Sequence, residues 1–158
     1  MKVSDRLIWA LVPGFAAFAL DGLIKLGTEN GSLNIPDEGD KRKCYILEGR
    51  VQLRRLHNKG IAGGLFGSRQ RAVAVVSFLM NLIPAFKLLA EAFKRKPNFL
   101  KLIVYSLVTG AAASNTADRF QRGYVVDYFS ICKGPSFFRR LVFNISDFVI
   151  AIFSPWLF

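Results

Sequence analysis

Two aspartates, Asp127 in "GYVVDYF" and Asp147 in "FNISD", stand beside apolar runs where a charge is costly. Within a membrane helix an ionised aspartate costs about 2.5–3.5 kcal/mol on insertion scales, so each calls for a chemical reason. Asp147 follows the basic pair Arg139–Arg140 at about 9 Å by helical rise, and no lysine or arginine comes after it. Its i−3 neighbour Asn144 can hydrogen-bond a carboxyl but does not cancel its charge. Asp127 brings a second carboxyl to the membrane edge, on the side where the last apolar run begins. At low dielectric such a pair ionises in split steps and holds one proton between its members. That is equipment for amide hydrolysis: one acid takes a proton from water while the other protonates the carbonyl oxygen. No Ser/His/Asp or Cys/His set competes, since the single histidine, His57, lies in a basic segment and reads as a surface residue.

Other polar residues have blander explanations. Asn115 and Asp118 repeat the i, i+3 spacing, followed at once by Arg119, whose planar fork of donors can hold a carboxylate or backbone carbonyls. Spacing alone favours Asp118 as an ion-pair or capping residue over a catalyst, and Gly123 lets the chain turn toward Asp127. Asp21 and Lys25, at i and i+4, read as a structural ion pair, and Glu91 reads as a solvated partner of Lys87. The run "NKGIAGGLFG", Asn58 to Gly67, lacks the GK[ST] ending of a phosphate loop. It is either a hinge, or a place where small residues such as Gly60 admit a peptide backbone while Asn58 reads it.

The elements that must position these groups are mostly apolar. The chain has 158 residues, enough for one domain, and 52% of them are hydrophobic. Mean hydropathy is positive, which places the chain in a membrane class rather than a soluble one. Its net charge of +11 is spread between apolar runs, pointing to anionic headgroups and membrane lipids as partners and away from nucleic acid. Cys44 and Cys132 fit no metal or disulfide pattern and read as structural; no metal or other cofactor is expected.

Apolar stretches predict four helices, over about 7–26, 72–93 with a kink at Pro84, 99–117 and 141–158. The first also mimics a secretory signal peptide, a reading disfavoured because the Asp21–Lys25 pair continues the helix past the supposed cleavage site. Between the first two helices, residues 27–71 carry "YILEGRVQLRRLHNKG", whose alternation around Glu48-Gly49 predicts a hairpin resting on the membrane surface. The compact cluster Lys94, Arg95, Lys96 marks its side, and with it both termini, as cytoplasmic, although the opposite side holds more lysine and arginine in total.

Taken together, "ALDGLIK", "HNKGIAGGLF", "SNTADRFQRGYVVDYF" and "FNISD" resemble, in order and spacing, the motifs of the lipoprotein signal peptidase family (signal peptidase II), the bacterial membrane aspartic peptidases. The resemblance covers nearly the whole chain. It implies one integral membrane peptidase domain over residues 1–158: an all-α membrane protein, a four-transmembrane-helix bundle with a small extracytoplasmic β-cradle between helices 1 and 2. It implies Asp127 and Asp147 as the catalytic dyad. Asn58, Asn115, Arg119 and Asn144 would surround the substrate, with Asp118, Gly60, Gly123, Asp21 and Lys25 in support. The substrate would be a lipid-modified prolipoprotein, cut before its diacylglyceryl-cysteine by a monomeric enzyme at the outer face of the cytoplasmic membrane. Other readings are a small proton- or ion-coupled transporter, for which buried aspartates also serve, and an inactive accessory relative. The chain departs from the family pattern at Ser114, Tyr128 and Ser146, where glycine, phenylalanine and alanine are usual, and in the "GIAGGLFG" run. These departures bear on substrate preference and on the loop over the site, and no catalytic carboxylate is lost.

Overall fold

A computed structural model describes residues 3–60 and 69–158; of the glycine-rich run Asn58 to Gly67, expected to act as a hinge or a backbone contact, residues 61–67 lie outside them. The chain is mostly helical with one small sheet. Helix α1 (Val3–Glu29) is followed by strands β1 (Cys44–Ile46) and β2 (Val51–Asn58), helices α2 (Gln70–Ala92) and α3 (Phe99–Arg122), and strand β3 (Val125–Ile131). The short helix α4 (Ser136–Arg140), helix α5 (Ile145–Phe153) and a 3-10 turn (Ser154–Leu157) complete it.

The packing is inverted relative to a water-soluble protein. Large apolar side chains line the outside of α1 and α2, with Phe15 72%, Leu23 68% and Phe86 65% exposed. The fully buried positions include Asp21, Lys25, Thr28, Ser106, Asn144 and Ser146. Lipid is the solvent that suits such a surface. Among the described residues α1 (Asp5–Glu29) and α2 are long and apolar enough to cross a membrane. Helix α3 has 24 residues but carries Ser114, Asn115, Thr116, Asp118 and Arg119 in its C-terminal part.

Helix α3 packs against α1, α2 and α5 and forms the centre of the molecule. Trp9 meets Phe99 edge to face at 4.6 Å near one end, and Lys25 reaches Asn115 at the other, so α1 and α3 run parallel. Small residues let the two backbones approach. The Gly14 N–H donates to Ser106 Oγ at 2.8 Å, and a Cβ built on Gly110 would lie 1.9 Å from the Gly14 carbonyl oxygen. Backbone on backbone leaves nothing to rotate away. Gly110→Ala should therefore destabilise the protein by at least about 1–3 kcal/mol, the usual cost of overpacking. Thermal melting in detergent checks this, and an unchanged midpoint would show that the helices can separate freely.

The sheet is antiparallel in the order β1-β2-β3. The hairpin turns at Leu47, Glu48 and Gly49, all at positive φ, around the Glu48-Gly49 pair singled out by the pattern. The third strand is a correction: the sheet is not confined to the segment between the first two helices, because β3 follows α3. Its first four residues are all buried, so "VVDY" shows no apolar-polar alternation with period two to mark it as a strand. Gly123, at φ +80, ends α3 in the left-handed conformation and turns the chain into β3.

The last helix also differs from expectation. A helix over 141–158 is predicted, but α5 has nine residues and begins at Ile145. Residues before it are extended because Phe143 pairs with Phe129, the Phe143 N–H donating to the Phe129 carbonyl at 2.7 Å. Asp147 therefore sits in the first turn of α5, and the distance taken from Arg139–Arg140 at helical rise does not apply. Glu91 is buried and not solvated; it accepts from Lys94 Nζ at 2.6 Å and the Asn98 N–H at 2.7 Å, while Lys87 donates to the Leu157 carbonyl.

Candidate active site

Strand β3 and the start of α5 bring Asp127 and Asp147 to one cavity of about 250 Å³, lined also by Asn58, Asn115, Arg119, Val142, Phe143 and Ile150. Asn144, the N-cap of α5, holds the pair together. Its Oδ1 accepts the Asp147 N–H at 2.9 Å while Asp147 Oδ2 accepts the Asn144 N–H at 3.2 Å, a reciprocal capping box. The i, i+3 spacing of "NISD" is thus a helix-start signature. The cap leaves the Asn144 Nδ2 free to donate to Asp127 Oδ1 at 2.8 Å and to Asn115 Oδ1 at 3.1 Å.

Obligate donors settle which way each amide faces. Lys25 Nζ lies 2.7 Å from Asn115 Oδ1, so Asn115 Nδ2 turns to Asp147 Oδ1, at 3.0 Å. The Gly60 N–H donates to Asn58 Oδ1 at 3.2 Å, so Asn58 Nδ2 turns to Asp127 Oδ2, at 3.0 Å. Among the described residues, each carboxyl therefore receives hydrogen bonds from neutral groups only. Burial, with the charge of Asp147 beside it, pushes the Asp127 carboxyl up to about 8. The cations facing it are Arg119 from α3 and, beyond Asn115, Lys25 from α1. Arg119 Nε and Nη1 are buried without a hydrogen-bond partner among the described residues, leaving donors for something that enters the cavity. With one proton on the pair, its net charge of −1 is balanced by Arg119.

Asp21, Lys25 and Asp118 form, with Arg122, a second, self-neutralising cluster behind Asn115. Lys25 Nζ contacts Asp21 at 2.7 Å and Asp118 at 3.1 Å, and Arg122 contacts Asp118 at 3.1 Å. Asp118 also accepts the Val126 N–H at 3.2 Å, tying β3 to α3. Ser114, Tyr128 and Ser146, in sequence only departures from the resembled pattern, all bond Asp21 through their hydroxyls. Their places next to Asn115, Asp127 and Asp147 were the available signal. His57 is half-exposed, stacks on Tyr124 at 4.1 Å and pairs with Glu29 at 2.7 Å.

A family model described as "Signal peptidase (SPase) II" matches residues 14–157, a span that contains every residue of both clusters. The chain belongs to the signal peptidase II family. It resembles the lipoprotein signal peptidase of Caldicellulosiruptor bescii, 30% identical over 142 residues that cover 90% of this chain and 81% of that one. The lipoprotein signal peptidase of Nostoc punctiforme is 29% identical, covering 96% and 87%. A solved structure titled as a bacterial membrane enzyme superposes with a TM-score of 0.70 at 20% identity, covering 92% of this chain and 82% of that one, which bears on the fold alone. Signal peptidase II is a membrane aspartic peptidase, so this chain is a hydrolase that processes lipoproteins. Nothing in these likenesses supports a transporter.

Proposed function

We propose that Asp127 and Asp147 are the catalytic dyad of a lipoprotein signal peptidase that cuts a prolipoprotein just before its diacylglyceryl-modified cysteine. The observation that carries this reading is the meeting of the buried Asp127 carboxyl and the half-buried Asp147 carboxyl in one cavity, with Asn144 bonded to both. In the active form the pair holds one proton. The ionised member draws a proton from a water as its oxygen attacks the scissile carbonyl carbon, and the protonated member donates to the carbonyl oxygen. As the tetrahedral intermediate collapses, the amine of the cysteine leaves with a proton returned from the first acid, while one hydroxyl of the intermediate gives its proton back to the second, restoring the singly protonated pair.

Asn58, Asn115 and Asn144 keep the acids in place, and the unpartnered Arg119 donors suit carbonyls of an extended substrate. A second cavity of about 390 Å³ shares Asn115, Arg119 and Ile150 with the first and runs between α2, α3 and α5 past Met80, Pro84 and Leu157. Its apolar walls suit the apolar segment of a signal peptide.

The arrangement fits four membrane-embedded helices, α1, α2, α3 and α5, with both termini cytoplasmic and the sheet and dyad at the outer face. Arg6 donates to the Lys94 and Arg95 carbonyls at 3.0 and 3.2 Å, so the start of α1 and the basic cluster share one end. Leu157 packs near that end against Val104 and Tyr105. The enzyme would work as a monomer among membrane lipids. To test the function, the purified protein in detergent is given a precursor with and without the diacylglyceryl group. Cleavage of the lipidated form alone is expected; equal cleavage of both, or of neither, contradicts the assignment.

A further inference from the structure

We propose that Asp21 is a positioning residue that fixes the spacing of the two acids through three hydroxyls, those of Ser114, Tyr128 and Ser146. The inference rests on the dyad reading and extends it. Ser114 Oγ and Ser146 Oγ donate to Asp21 Oδ2 at 2.6 and 2.8 Å, and Tyr128 Oη donates to Asp21 Oδ1 at 2.9 Å. Asp21 is 0% exposed and none of the three exceeds 4%, so water does not compete for these bonds. Each hydroxyl is the chain neighbour of a residue that builds the dyad: Ser114 precedes Asn115, Tyr128 follows Asp127, and Ser146 precedes Asp147.

One carboxylate on α1 thereby ties down α3, β3 and α5, the three elements whose relative position sets the distance between the acids. The Tyr128 hydroxyl does more, since it also accepts the N–H of Ile145, the first residue of α5, at 2.9 Å. With Lys25 at 2.7 Å, both Asp21 oxygens are occupied. Glycine, phenylalanine and alanine, the residues usual at these positions in the resembled pattern, have no hydroxyl to donate. Three charge-assisted bonds converge here that such residues do not make, and convergence on one acceptor makes the three act through a common point.

The test measures single-turnover cleavage, KM and the pH–rate profile of the full-length protein. Tyr128→Phe and Ser146→Ala should each lower kcat about 3–10-fold with KM within about twofold. Their alkaline limb should move to lower pH, because a looser pair repels less. In an Asp21→Asn background the same substitutions should change kcat by less than about twofold, the anchor being already lost. If Asp21→Asn does not fold, the Tyr128→Phe/Ser146→Ala cycle carries the test, with the double variant falling short of the product of the singles. Unchanged kcat and an unchanged alkaline limb in both single variants overturn the proposal, as does full multiplicativity. A dyad misassigned altogether would appear separately, as retained cleavage by Asp127→Asn.

Discussion

Replacing Asp127 with asparagine should lower cleavage of a lipidated precursor by at least about 10³-fold, while the protein still inserts, folds and binds. The size follows from removing one of two acids that must trade a proton in the same transition state; a single positioned acid or base contributes roughly 10²–10⁴-fold. Asparagine has nearly the same shape, and it keeps an oxygen for Asn144 Nδ2 or Asn58 Nδ2, which now bond the carboxyl at 2.8 and 3.0 Å. Asp147→Asn should be equally inactive, and the double variant little worse than either, because the acids act as a unit. Either variant turning over at the parental rate would end the assignment.

The same substitution should leave stability undiminished. The Asp127 carboxyl sits at about 8 in the folded protein, far above an ordinary aspartate. Between about pH 4 and 8 the unfolded chain is ionised there while the folded chain keeps its proton, so the wild type loses stability as pH rises through that window. Asparagine does not titrate. The melting temperature of Asp127→Asn relative to the parent should therefore rise from pH 5 to pH 8 and then level off. An advantage that shrinks with pH would mean that the folded site prefers the charged carboxylate.

The second large effect concerns Lys25. It is 1% exposed and the only lysine within reach of Asp21, Asp118, Ser114 and Asn115 among the described contacts. Lys25→Met removes the charge that compensates Asp21, and breaking a buried pair on one side costs about 3–5 kcal/mol. It also frees the Asn115 amide to rotate away from Asp147. Both melting temperature and activity should fall, and a companion Asp21→Asn change should recover part of the stability but not the activity. A Lys25→Met protein within about 1 kcal/mol of the parent would mean that Asp21 is held neutral by other means.

The residues of the candidate site are legible because their types are costly in an apolar chain: Asp127, Asp147, Asn115 and Asn144 stand out against such surroundings. How they are held was less legible. Asn144 and Asp147 share the spacing of one helix face and of a capping box, and only the pairing of Phe143 with Phe129 decides that α5 starts between them. Strand β3 hid because a strand buried on both faces loses its period. The convergence of Ser114, Tyr128 and Ser146 on Asp21 joins residues separated by up to 125 positions, which no local pattern records. Composition, by contrast, announced the exposed apolar faces of α1 and α2 directly.

A single proton shared by Asp127 and Asp147 is the central claim, and the pH dependence of single-turnover cleavage tests it most directly. A bell is predicted, its alkaline limb bending near pH 8, where the pair loses that proton, and falling about tenfold per pH unit above it. A rate that stays level from pH 6 to pH 10 would contradict the account, because two ionised carboxylates have no proton to give the scissile carbonyl.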